Sequence, residues 1–420
     1  MGMGAASLTL ATIFLWGALS ARLAVVSTPI FFVAAGLLYS EGFGVLDLEP
    51  EPHLIKAVAE ITLVWVLFAD ASRVKLPQLR ADLGRYVRLL GVGLPLTIGL
   101  GMLAAVALLD MPAWQALLVG AALAPTDAAL GSAVMSDPRV PRRVRQTLNV
   151  ESGLNDGIAT PVVVVAIAAV AADAGVAGVE GPGGALLGLL VGVLTGVVIG
   201  GAGGALMRRA RHRGWSSAEF AGPAVLGLAL LAYTCAVLID ANGFVAAFIA
   251  GSAFGTTAGR GGDKEVYYVE QTCGLASMLS WLIFGAVAVP QLPDRLSWQL
   301  VLYAVVSLTV VRMLPVAIAL AGSRVDRASV AFIGWFGPRG LASVVFALIA
   351  LEDLHGVAED AIAAICLTVL VSVVAHGLTA RPLAGRYARA QHDRPHTQPP
   401  HAELTDEQHE PVVRRLDGRS

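Results

Sequence analysis

The chain has 420 residues, of which 56% are hydrophobic and only 14% charged. A soluble domain carries about a quarter charged residues, so this mixture excludes a water-soluble globular protein. The net charge of −2 says less than the positions of the charges do.

In chain order, apolar stretches long enough to cross ~30 Å of hydrocarbon fall near residues 6–21, 24–40, 53–71, 86–109, 114–135, 146–172, 183–207, 218–239, 243–258, 274–290, 299–321, 329–351 and 360–380. The fold class expected is an all-α integral membrane protein with about thirteen transmembrane helices. No basic region precedes the first stretch, whose first arginine is Arg22, so the start does not read as a cleaved signal peptide. Cys235, Cys273 and Cys366 all lie inside apolar stretches without CxxC spacing, which favours packing over a disulfide or zinc site.

The connections alternate in charge. Basic residues occupy every second one: Arg22; Arg73 to Arg88; Arg139 to Arg145; Arg208 to Arg213; Arg260 and Lys264; Arg324 and Arg327; and the segment from Arg381. The intervening loops are acidic or neutral, with only Lys56 and Arg295 on that side. The positive-inside rule predicts a multi-pass protein of the cell (inner) membrane, with the N-terminus outside and the C-terminus in the cytoplasm. Residues 1–381 form the predicted transmembrane domain. Residues 382–420, polar and Pro-rich with scattered histidines, read as a disordered cytoplasmic tail.

Ionisable residues inside spans are expensive and point to function. The fifth stretch holds Ala124-Pro125-Thr126-Asp127, and the sixth opens Glu151-Ser152-Gly153-Leu154-Asn155-Asp156-Gly157. Arg312 lies in the eleventh, and Gly337-Pro338-Arg339-Gly340 in the twelfth. Glu151/Asn155 and Ser152/Asp156 are i,i+4 pairs and share one broad helix face. With that helix starting near Gln146, Asp156 falls ~15 Å along it, close to the midplane. Carboxylate, amide and hydroxyl oxygens suit a small alkali cation or a proton. Asp127 reads equally as a cap for a broken helix, and Glu151, Arg312 and Arg339 as architectural charges.

Transporters with inverted repeats often carry matched Gly/Pro-interrupted spans at the site. If stretches 1–6 repeat as 8–13, the fifth matches the twelfth, and those two carry the Pro-Thr-Asp and Gly-Pro-Arg-Gly interruptions. Broken helices expose half-helix dipoles, so Asp127 would answer N-terminal ends and Arg339 C-terminal ends.

With Pro125-Thr126-Asp127, Glu151 to Gly157, Asn242-Gly243-Phe244 with Ala250-Gly251, and Pro338-Arg339-Gly340, the chain resembles the monovalent cation:proton antiporters, specifically NhaP-like sodium/proton exchangers, over roughly residues 10–382. That resemblance implies thirteen spans and a homodimer. It also implies a moving core (spans 4–6 and 11–13) set against a dimerisation part (spans 1–3 and 7–10). The implied ion ligands are Thr126, Asp127, Ser152 and Asp156, with Asn155 beside them. An ion pair between Glu151 and Arg312 carries over too, and Asn155-Asp156 matches the electroneutral members. Asp70 matches an accessory acid of the family, although Ser72-Arg73 departs from the usual Gly-rich continuation and a solvated helix end fits equally.

The expected function is sodium/proton exchange, with Asp156 holding either Na⁺ or a proton. No cofactor, resident metal or nucleic-acid partner is expected. Potassium/proton exchange satisfies the same residues. A channel or a transport-dead sensor fits less well, because no Thr-Val-Gly-Tyr-Gly filter and no recognisable tail domain are present. An intramembrane enzyme lacks its HExxH or Ser–His constellation. His376, the one histidine deep in a span, reads as packing.

Overall fold

In hydrocarbon every backbone N–H and C=O has to be satisfied within its own segment, so apolar spans become helices. The computed structural model describes residues 3–22, 26–42, 52–74, 82–128, 130–176, 182–259, 262–323, 325–354 and 356–392. Among them there is no strand. The loop residues Lys75, Arg80, Arg260 and Arg324, and the tail with His396, His401 and His409, lie outside the described residues.

Helix α1 (Met3–Leu19) is followed by α2 (Thr28–Leu37), which runs on as a π-turn through Gly42, and by α3 (Pro52–Arg73). Next come α4 (Leu83–Leu109), α5 (Ala113–Ala122), the short α6 (Ser132–Met135) and α7 (Arg142–Asp173). The chain continues as α8 (Pro182–His212), α9 (Ala218–Val237), α10 (Gly243–Thr257) and α11 (Gly262–Gln291). It ends with α12 (Trp298–Leu308), α13 (Val310–Ala319), α14 (Arg327–Trp335), α15 (Leu341–Asp353) and α16 (Glu359–His392). Helix lies in each of the thirteen predicted stretches. Among the described residues, seven helical segments are long and apolar enough on their own to cross a membrane.

Three boundaries differ from the sequence reading in a way that matters. Helix α7 starts at Arg142, not near Gln146, so Asp156 lies ~21 Å along a helix of ~48 Å and remains near its centre. In the first turn of α7, Arg142 and Arg143 are exposed, and Arg145 Nε donates to Val140 O at 3.0 Å. Helix α16 continues past Arg381 and Pro382 to His392. Its extension is held by side chains: Tyr387 stacks on Phe332 with ring centroids 4.1 Å apart, and its hydroxyl pairs with Ser329 Oγ at 2.6 Å. Gln391 donates to Asp326 at 3.3 Å. Charged, Pro-containing sequence hid this docking. Helix α11 likewise begins at Gly262, twelve residues ahead of the predicted 274, so Lys264 is helical.

The longest close packing is between α8 and α10. Gly192, Gly196, Gly200 and Gly204 form a stripe with a four-residue period, and a Cβ on any of them would meet Asn242, Ala246, Ala250 or Thr257 of α10. Small residues at this period let two backbones approach, which is how membrane helices gain contact without a hydrophobic driving force. Opposite that stripe, Leu187, Leu190, Leu194 and Val198 are exposed, an apolar outer surface suited to lipid. By contrast, α7 and α16 are the most buried of the long helices, and α7 carries the polar residues at the molecule's centre.

Candidate ion site at the crossed helix breaks

Two of the helical stretches are broken, and the breaks meet. Between α5 and α6 the chain leaves helix around Ala124 to Ala128, and between α14 and α15 around Phe336 to Gly340. Asp127 N–H donates to Pro338 O at 2.9 Å. Each break then supplies the charge that the other needs. Asp127 Oδ2 accepts from Leu341 N–H at 2.9 Å, at the N-terminus of α15, and its Oδ1 accepts from Leu130 N–H at 3.3 Å. Arg339 Nη1 donates to Ala124 O at 2.8 Å and to Pro125 O at 3.4 Å, just past the C-terminal end of α5. A carboxylate at a helix N-terminus and a guanidinium at a C-terminus each oppose the local dipole, and the Arg339 guanidinium does so fully buried, where water cannot.

The Gly-Pro-Arg-Gly motif acquires a steric reason. A Cβ at Gly340 would overlap the Asp127 carboxylate, and one at Gly337 would overlap the Arg312 guanidinium. Each glycine makes room for one buried charge. Ser372 Oγ accepts from Arg339 N–H at 2.7 Å and lies 3.2 Å from His376 Nδ1. Nδ1 also lies 2.9 Å from Ser372 O and Nε2 lies 2.9 Å from Trp335 O, so whichever ring nitrogen carries the proton donates to a carbonyl. His376 thus ties the C-terminal end of α14 to the break. The sequence reading missed this role, because Ser372, His376, Trp335 and Arg339 become neighbours only when two helices pack.

The polar residues of α7 divide into two groups. Glu151 Oε1 accepts from Arg312 Nη1 at 2.6 Å, with both side chains about 95% buried. Ser152 Oγ lies 2.9 Å from Thr126 Oγ1, and Asn155 Nδ2 donates to the same Thr126 hydroxyl at 2.7 Å. Asp156 is buried, and its Oδ1 has no hydrogen-bond partner; neither has Asn155 Oδ1. Buried acceptors without donors are rare in native proteins, and each calls for an explanation. In three dimensions these three carboxylates and two guanidinium groups form an ion pair, a crossed pair of helix caps and a separate carboxylate.

A cavity of about 420 Å³ reaches this carboxylate. Its inner wall includes Thr126, Asp127, Ser152 and Asp156, and it runs out past Asp70 to Arg73, Ser136 and Glu270. Arg73 and Glu270 form an ion pair there. Arg73 ends α3 and Ser136 follows α6, so the mouth lies on the side of the basic loops. Asp70 stands on the cavity wall against Gly153 of α7, whose Cβ would come 3.9 Å from it. Glu270, Asn149 and Cys273 complete a lining that no linear motif announces.

The family model for the transmembrane sodium/hydrogen exchanger matches residues 8–386. The chain belongs to the sodium/hydrogen exchanger family. This exchanger-family chain is 26% identical over 375 residues to the K(+)/H(+) antiporter NhaP of Alkalimonas amylolytica, an alignment covering 87% of this chain and 63% of that protein. It is 24% identical to the K(+)/H(+) antiporter NhaP2 of Shewanella sp. (strain ANA-3), over 80% of this chain and 60% of that protein. It therefore spans about three-fifths of the length of these curated relatives. Its fold matches the sodium proton antiporter MjNhaP1 from Methanocaldococcus jannaschii with a TM-score of 0.77 and 21% identity, covering 92% of this chain and 99% of that one.

Proposed function

We propose that this exchanger-family protein is a sodium/proton antiporter that works by alternating access, with Asp156 holding either one cation or one proton. The observation that carries the reading is the unpartnered Asp156 carboxylate oxygen, buried at the end of a cavity and on the same α7 face as the Thr126–Ser152 hydroxyl pair. An all-oxygen set of carboxylate, hydroxyl and amide groups suits a hard monovalent cation. Asp127 stays ionised as the cap of α15 and adds negative potential without exchanging its proton, and Asp70 is an accessory acid on the entry path. Asn155 does not titrate, so one proton leaves for each cation that enters and the cycle is electroneutral.

In this reading α4–α7 with α12–α16 form the moving core, and α1–α3 with α8–α11 form the dimerisation part of a homodimer. The protein sits in the inner membrane with the N-terminus outside, and the cavity faces the cytoplasm. The names of the bacterial relatives support a second reading, potassium/proton exchange at the same site. Proteoliposomes with an internal pH dye and outward gradients of Na⁺, Li⁺ or K⁺ distinguish the two. The account predicts cation-driven internal acidification with Na⁺. Acidification with K⁺ alone selects the second reading, and none with any cation refutes both.

A further inference from the structure

Ion pairs are distributed differently on the two faces of the molecule. On the basic face, the described pairs each stay within one group of helices: Arg73 with Glu270 (α3 and α11), Arg211 with Glu265 (α8 and α11), Arg85 with Asp82 at the start of α4, and Arg139 with Asp137 ahead of α7. On the opposite face, the only two lysine or arginine residues in the sequence are Lys56 and Arg295, and both bridge between groups. Lys56 Nζ lies 2.5 Å from Asp353 Oδ1, joining the start of α3 to the end of α15. Arg295, in the connector after α11, pairs with Glu359 and, at 2.7 Å, with Asp360, at the start of α16. Beneath Arg295 and Glu359 lies a void of about 20 Å³, lined among others by Leu292, Leu351 and Cys366, and beside Arg295 and Asp360 a cavity of about 340 Å³ reaches Asp110 and Gln299. Neither shares a lining residue with the cavity that reaches Asp156, so on this face the ion site is shut off, whereas on the other it is open.

We propose that Lys56–Asp353 and Arg295–Glu359/Asp360 form an electrostatic latch that holds this face shut, making Lys56 and Arg295 positioning residues that set the balance between the two access states. The inference rests on the two-part division of the helices given above. Neither pair reaches the ion site, so neither touches the transported ion. Their strength suits a latch. All the partners keep 30% or more of their side-chain surface exposed, and exposed pairs change an equilibrium by only about two- to five-fold each. A much stronger pair would trap one state. Lys56 also has a second carboxylate on its own helix, Glu60, at 3.9 Å. When α15 moves away, the ammonium group keeps a partner and the cost of release stays small.

The structure supplies its own reporters. Cys273 lines the large cavity and Cys366 the closed void, and all three cysteines are free. In a Cys235→Ser background, the experiment measures labelling of Cys273 and Cys366 by a small membrane-impermeant thiol reagent, in vesicles of each orientation. Lys56→Gln, Asp353→Asn and Arg295→Gln are each predicted to speed Cys366 labelling about two- to five-fold and to slow Cys273 labelling. The Lys56→Gln/Asp353→Asn double variant should exceed neither single, because both remove the same contact. Unchanged labelling in all variants overturns the latch, and so does faster labelling of both cysteines, which would mean general loosening. If one variant fails to fold, the remaining singles give the same reading. Cation-driven pH change in the same vesicles keeps the two claims separate. Normal exchange with unmoved labelling removes the latch alone; shifted labelling without any exchange removes the antiporter reading and leaves the latch standing.

Discussion

Glu151 and Asp156 stand five residues apart on the same helix, and the structure treats them in opposite ways. Glu151 is met by the Arg312 guanidinium at 2.6 Å and sealed in by protein. Asp156 opens onto a cavity and has no cationic partner among the described residues; an oxygen without a donor does not by itself set it apart, since Glu151 Oε2 lacks one too. A buried charge with a fixed partner holds architecture together, whereas a buried acid facing a cavity without one is left for a mobile ion. Burial alone therefore does not identify the transport residue. In the proposed exchange cycle, the partner or its lack does.

The largest expected effect breaks this comparison at Asp156. Asp156→Asn keeps the volume and removes both the charge and the exchangeable proton. The variant is predicted to fold with a near-normal melting temperature and to show no Na⁺-dependent proton flux above empty liposomes. Substantial residual flux would place the carrier elsewhere. On the other side of the comparison, Arg312→Ala leaves Glu151 buried and unpaired, at a cost of about 3–5 kcal/mol. Its melting temperature should fall strongly, and the Glu151→Gln/Arg312→Ala double variant should regain part of the loss. Losses that simply add would argue that the two side chains do not interact.

A smaller effect sharpens the role of Asp127, the third carboxylate. Gly340→Ala places a methyl group where the Asp127 side chain now lies and disturbs its hydrogen bond to Leu341. Losing a cap costs about 0.5–2 kcal/mol. Exchange should slow because the break between α14 and α15 no longer holds its shape. Stability and flux both equal to wild type would show that Asp127 does not act as the cap of α15. The subtlest effect concerns charge. With Asn155 beside Asp156, an imposed potassium/valinomycin potential of either sign should leave the Na⁺-driven rate unchanged. A rate that follows the polarity would mean that a second carboxylate titrates in the cycle.

The sequence disclosed what depends on local pattern. Charges in apolar stretches, the alternation of basic loops and the two Pro-bearing interruptions pointed to the helical membrane fold, and to Asp127 and Arg339 as opposed caps. Contacts between distant parts of the chain were hidden. Lys56 and Asp353 stand 297 positions apart, and Arg312 and Glu151 161 apart; only for the second pair did a family resemblance supply the link. Gly337 and Gly340 read as helix breakers, while their second use, making room for Arg312 and Asp127, needs three-dimensional packing to appear. The extension of α16 to His392 was missed because a polar, Pro-containing segment looks disordered until Phe332 and Asp326 are seen to receive it.

The central claim is that one carboxylate carries either a cation or a proton. Its most direct test is the initial Na⁺-driven proton flux of wild-type proteoliposomes, measured against Na⁺ concentration at several pH values. Competition at Asp156 predicts that the Na⁺ concentration giving half-maximal flux rises up to tenfold for each unit of falling pH on the acid side, while the saturating rate at high Na⁺ stays constant. A half-saturation concentration that ignores pH, with a saturating rate that falls instead, would mean that cation and proton occupy different groups and would contradict the account.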